Sequence, residues 1–266
     1  MRIRNRRVCR GRLVTFLLAA GLGLMPATAS ADRRYFVQSY TPYLAPSGNL
    51  ELEATSIARS GLGDSTATSW ENRLEFEYGI TDRLTGAFDL NFMQPPGVGA
   101  PLTFDGPSLE FIYRLARPGR LPVDPAGYLE VRANGSEVEL EPKLLLARRV
   151  YRLVGAVNVI GEFERHDAGE ERGTTEKDLH VTAGLSRELG HVVAAGVEAV
   201  YSRSYSSEGP DASSWLLGPT FNLQTPKVQL AVGWHPQVKG SPSSSVALNL
   251  ADFPRSEVRL ILGVEL

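Results

Sequence analysis

The chain has 266 residues, with 28 Lys and Arg against 30 Asp and Glu, one cysteine and a hydrophobic fraction of 42%. That balance offers no basic surface for nucleic acid, and a single cysteine excludes a disulfide framework or a cysteine metal site. No apolar run reaches the roughly 20 residues of a membrane helix, and no composition shift marks a second domain.

Residues 1–31 carry six arginines and no acid, then an apolar run over 13–25, then the small residues Ala29, Ser30 and Ala31. This is the layout of a secretory signal cleaved after Ala31, and it contains the only cysteine, Cys9. The remainder, 32–266, is expected to form one domain with 22 basic residues against 30 acids, a net charge of about −8. It begins with a polar lead, 32–47, that holds Pro42 and Pro46.

Beyond the lead, apolar and polar residues alternate with period two, as in strands with unlike faces. In the first strand Leu50, Leu52 and Ala54 oppose Glu51, Glu53 and Thr55, and a glycine-rich loop is expected over 58–66. The clearest hairpin is 70–92. Trp70, Leu74, Phe76 and Tyr78 share a face, broken only by Asn72, against Glu71, Arg73, Glu75 and Glu77. After a turn at 80–83, Leu84, Gly86, Phe88, Leu90 and Phe92 oppose Thr85, Ala87, Asp89 and Asn91. Steps of about 3.3 Å place the Trp70 and Tyr78 rings near the two edges of an apolar band roughly 25 Å tall on a tilted strand.

The fourth strand sets Leu109, Phe111, Tyr113 and Leu115 against Ser108, Glu110, Ile112 and Arg114, and the fifth sets Leu129 and Val131 against Glu130 and Arg132. A tight Asn134-Gly135 turn leads to a sixth with Val138, Leu140, Leu144 and Leu146 opposite Glu137, Glu139, Glu141 and Lys143. The seventh, 153–163, is apolar on both faces, which leaves its phase open. Five more alternating runs follow, around Val181, Val197, Leu217, Val232 and Leu262. Pro142 and Pro219 fall inside strands six and ten, where a closed ladder needs its donors; they predict bulges or misplaced strands.

Twelve strands bring the two chain ends to one side. Most odd connections (58–66, 94–107, 164–177, 202–213, 236–255) are longer than most even ones (80–83, 148–152, 188–190, 224–227), with 117–126 and 134–135 as exceptions. Long loops outside and short turns in the periplasm are the pattern of a closed, all-β, antiparallel up-and-down transmembrane β-barrel of about 12 strands.

The signal, the strand-turn-strand over 75–84 and the terminal strand over 257–266 resemble those of Gram-negative outer-membrane β-barrel proteins of the small-channel kind. The resemblance implies residence in the outer membrane, contact with its lipid, and insertion by the outer-membrane assembly machinery through the C-terminal strand. Such chains usually end in an aromatic residue, and this one ends in Leu266. It also implies a passive channel or uptake protein for small solutes or cations.

With these phases the residues directed to the lumen include Glu51, Glu53, Glu71, Arg73, Glu75, Glu77, Asp89, Glu110, Arg114, Glu139, Glu141, Lys143 and Arg259. Acids dominate. On the first two strands Arg73 is the only base among five glutamates, so ion pairs cannot complete that wall, and a wet lumen that enriches cations is expected. Two other readings stay open. One is a closed barrel with a structural or surface-binding role, whose charges pair across strands. The other is a lipid hydrolase, but the His-x-Ser with a following Asn that such barrel enzymes use is not found around His166, His180, His191 or His235. No metal, cofactor or nucleic-acid motif is present, and no enzyme activity is expected.

Overall fold

The computed structural model describes residues 34–64, 67–168, 173–205, 212–242 and 247–266; the expected signal, 1–31, lies outside them. Among the described residues twelve strands form: β1 (Leu50–Ser60), β2 (Thr68–Thr81), β3 (Leu84–Gln94), β4 (Thr103–Arg114), β5 (Asp124–Ala133), β6 (Glu137–Val150), β7 (Leu153–His166), β8 (Thr175–Glu188), β9 (Val193–Tyr205), β10 (Ala212–Gln224), β11 (Val228–Ser241) and β12 (Ser256–Glu265). Each pairs antiparallel with its sequence neighbours, and β12 pairs with β1 to close the barrel. At the seam the Leu266 amide donates to the Leu50 carbonyl at 2.9 Å. Closure removes the unpaired edges that a membrane does not tolerate.

The alternation decides which side chains go where. Phe76, Phe88, Phe111, Leu140, Leu144, Leu217 and Leu260 are exposed on the outer wall, although the chain has ample polar residues to cover it. Tyr78 and Tyr113 sit towards the end that carries Leu50 and Leu266, and Trp70 and Trp215 towards the other, so ring side chains flank the apolar band at both ends.

Several strands run further than the alternation indicates. β1 continues to Ser60, β7 to His166 and β11 to Ser241, and β8 begins at Thr175, all within stretches expected to be loop. Above the apolar band both faces are polar, so the period-two signal disappears while the ladder continues, as in the pairing of Glu164 with Glu176. Both prolines stay in their strands. On one side each has a normal partner, Leu129 for Pro142 and Val197 for Pro219. On the other the ladder is interrupted, between Leu140 and Lys143 of β6 and between Leu216 and Thr220 of β10, with a bulge at Trp215/Leu216. Each missing proline donor thus falls where the sheet asks for none.

The phase of β7 is fixed by the barrel's contents. Val154, Ala156, Asn158 and Ile160 are buried inside, while Leu153, Val157, Val159 and Phe163 face outward. Val154 and Ala156 are apolar because they pack on Tyr35 and Phe36 of the lead, which runs inside the barrel.

Candidate functional site

The lead, from Arg34 to the start of β1, has no regular structure of its own, consistent with its two prolines, and fills the half of the lumen nearer Leu50 and Leu266. Its apolar side chains meet apolar patches on an otherwise polar inner wall. Tyr35 and Phe36 pack on Ala147, Val154, Ala156 and Ala194; Leu44 on Ile112, Ala126, Tyr128 and Leu145; Val37 on Ala231 and Ile261. Burial of each large side chain stabilises the seated lead by about 1.5–3 kcal/mol. Gly184 and Gly233 complete the fit: a Cβ on either would lie 2.5 Å from Phe36 or Val37, respectively.

Polar groups hold the irregular backbone. The fully buried Glu198 carboxylate accepts the amides of Val37, Gln38 and Ser39 at 2.9, 3.0 and 2.9 Å. Asn158 accepts from the Tyr40 amide and donates to the Tyr40 carbonyl, doing for one residue what a strand neighbour would do. Tyr35 donates to Glu188 at 2.6 Å, and Arg114 donates to the Pro42 carbonyl at 2.9 Å. The Tyr43 phenol lies 3.4 Å from Asp124; burial and that carboxylate push it up to about 12, so it remains a donor. The lead leaves the lumen through Gly48, whose φ of +88° excludes most other residues, with its amide bonded to the Gly79 carbonyl at 2.8 Å.

Above the lead lies a vestibule of about 530 Å³. Its floor is Arg34, Gln38 and Tyr40, and it extends past Arg59 and Arg132 to Leu62, Asp252 and Pro254 in the connections at the far end. There the long β11–β12 connection folds inward on buried Asn249, Leu250 and Phe253, and the Leu250 carbonyl accepts the Gly63 amide at 2.6 Å. Among the described residues, ten carboxylates and six Arg or Lys line the vestibule.

The thirteen lumen candidates divide into two groups. Glu71, Arg73, Glu75, Glu139, Glu141, Lys143 and Arg259 border the vestibule. Glu51, Glu53, Glu77, Asp89, Glu110 and Arg114 lie outside its lining, in the packed part of the interior. There Glu51 accepts from Gln229, Glu53 pairs with Arg34 at 3.1 Å, Asp89 accepts from Ser108 at 2.7 Å and Glu110 from Tyr128 at 2.6 Å. Glu77 borders a small cavity of about 20 Å³ between the lead and the wall.

Arg73 is not the only base on this wall. Arg59, assigned to a loop by its neighbours, is in β1 and pairs with Glu71 and, at 2.8 Å, with Glu257, while Arg34 comes from the lead. Arg73 itself turns towards β5 and meets Glu130 at 3.1 Å. On the opposite side Lys143 pairs with Glu141 at 2.6 Å beneath the Tyr40 and Tyr128 rings, and Arg132 with Glu139. Sequence reasoning missed Arg34, Arg59, Asn158 and Glu198 as functional residues. Glu198 did leave a signal, as the lone acid in a run of small apolar residues, 193–201.

His180 Nδ1 lies 2.8 Å from the Ser202 hydroxyl, and Nε2 lies 3.4 Å from Glu162, all three at the vestibule wall. Ser202 is mid-strand, paired with both His180 and Ser214, so nearby backbone N–H groups belong to the ladders rather than to an oxyanion site.

A closed antiparallel barrel of twelve strands, apolar outside and charged within, has the architecture of Gram-negative outer-membrane β-barrel proteins. The chain belongs to the family of unknown function DUF6662, whose model matches residues 28–120 and 149–266. The unmatched 121–148 contains β5 and most of β6, with Glu130, Arg132, Glu139, Glu141 and Lys143. No curated protein matches by sequence.

Solved structures with this fold include the COG4313 outer membrane channel from Pseudomonas putida F1, at 12% identity over 85% of this chain and 98% of that one, with a TM-score of 0.63. The NanC porin gives 9% identity, 81% and 100% coverage and a TM-score of 0.55, and the KdgM porin 9%, 80% and 98%, and 0.54. At these identities the likeness is one of fold.

Proposed function

We propose that the chain is an outer-membrane channel with an acidic, cation-preferring vestibule, closed on the periplasmic side by its own N-terminal segment. The observation that carries this reading is the 530 Å³ charged vestibule, which leads from the long-loop mouth to a lead seated on the wall by separable contacts. A purely structural barrel gains nothing from a charged chamber above its filling. In this reading 1–31 is the signal, removed after Ala31, and 32–266 is the barrel domain. Outer-membrane lipid surrounds it, the assembly machinery inserts it, and small cations or solutes pass when the lead yields. The His180–Ser202 pair supports no hydrolase role, since it lacks a preformed oxyanion site.

Reversal potentials across a KCl gradient test the channel: cation preference is expected, and anion preference rejects the acidic vestibule. The filled lower lumen favours one other reading, a permanently closed barrel. Absence of conductance both in the native chain and in one with its lead displaced would select it.

Orientation follows from the connections. A cysteine at Thr174, beside β8, is expected to react with an impermeant maleimide on intact cells, whereas one at Thr81, in the β2–β3 turn, is not. The reverse pattern would place the vestibule towards the periplasm.

A further inference from the structure

Glu53, Glu75 and Asp89 stand directly opposite one another across β1, β2 and β3, all on the inner face. Three carboxylates in a row repel unless something positive lies between them. The outer two have partners: Arg34 meets Glu53 at 3.1 Å, while Ser108 donates to Asp89 at 2.7 Å and the Arg73 guanidinium lies 4.0 Å away. Glu110 and Glu77 also face Glu75, and they add negative charge.

Glu75, only 4% exposed, has no hydrogen bond and no ion pair among the described residues, yet it borders the vestibule. The other vestibule glutamates are compensated: Glu71 by Arg59, Glu130 by Arg73, Glu139 by Arg132, Glu141 by Lys143, Glu162 by His180, and Glu257 by Arg59 and Arg259. A buried carboxylate without a partner is relieved either by a proton or by a positive charge from solution, and the opening of Glu75 onto the vestibule admits the second.

We propose that Glu75 is a cation-binding site at the base of the vestibule, taking a small monovalent cation and setting the charge preference of the channel. This deepens the channel reading and rests on it for the selectivity role alone. The guanidinium groups of Arg34 and Arg73, held on the flanking carboxylates, disfavour a divalent ion, leaving room for one charge. Selectivity then belongs to one residue rather than to the excess of acid.

Binding is read without conduction by comparing denaturation midpoints of the purified full chain in KCl and in N-methylglucamine chloride at equal ionic strength. A ligand that binds only the folded state raises the midpoint. Potassium is expected to raise it in the native chain and in Asp82→Asn, an equal charge change on an exposed turn, but not in Glu75→Gln, which keeps the side-chain shape. In bilayers the K⁺ over Cl⁻ permeability ratio is expected to fall towards unity in Glu75→Gln and to be unchanged in Asp82→Asn. No potassium shift in the native chain, or a shift that survives Glu75→Gln, overturns the site. An unchanged ratio in Glu75→Gln overturns its role in selectivity. A potassium shift that depends on Glu75 without any conductance supports the site and sinks the channel reading instead.

Discussion

Replacing Glu198 with alanine is expected to open the lumen. The carboxylate accepts three consecutive backbone amides of the lead, and an alanine leaves all three donors buried against a wall of paired strands. A hydrogen bond contributes about 0.5–1.5 kcal/mol, and an orphaned buried donor costs about 1–3 kcal/mol. A net loss of only ~3 kcal/mol shifts the balance between seated and displaced lead by roughly 100-fold, since each 1.4 kcal/mol is tenfold. The barrel should survive, because Glu198 sits in β9 between glycines, Gly184 and Gly218, and its side chain supports the lead rather than the ladder. Open probability in planar bilayers should therefore rise by about two orders of magnitude, and the lead should become a protease target. Gly184→Leu provides the same outcome by different chemistry, because its Cβ would already be 2.5 Å from the Phe36 ring. Closed, protease-resistant behaviour in both variants would mean that the lead is a permanent part of the core.

The second large effect concerns the outer wall. Leu74 and Glu75 are adjacent in β2 but point to opposite sides, Leu74 beside Ala54 and Leu90, Glu75 beside Glu53 and Asp89. Arginine on the lipid face near the bilayer middle costs roughly 2–4 kcal/mol. Leu74→Arg and Phe88→Arg are each expected to lose about that much stability in denaturant titrations of the vesicle-folded protein. Glu75→Arg places its cation among carboxylates and should fold at least as well as the native chain. Equal losses for Leu74→Arg and Glu75→Arg would show that this wall does not face lipid.

Much of this structure was legible locally. Strand count and the facing of every strand except β7 follow from period-two alternation, because a strand between lipid and a polar lumen must place unlike residues on alternate sides. The thirteen lumen candidates were placed by parity alone. Strand ends were not legible, since above the bilayer a ladder such as that between β7 and β8 continues with polar residues on both faces.

The charge pattern was read incompletely in its partners. Arg59 lay just past the last alternating residue, and Arg34 lay in a segment with no periodicity, so neither was assigned to the acidic wall. Their positions depend on contacts far apart in sequence: Arg59 with Glu257 of β12, and Arg34 with Glu53 across the turn into β1.

By itself the sequence determined a barrel with an apolar outside and a charged inside, since those properties are set residue by residue by spacing. Only the tertiary structure decided what the inside holds. The apolar inward residues Val154, Ala156, Leu145 and Ile112 contradict a water-filled lumen until Tyr35, Phe36 and Leu44 are brought against them. That packing of 34–49 joins residues as much as 222 positions apart, as when Arg259 donates to the Val37 carbonyl, and no local pattern records it.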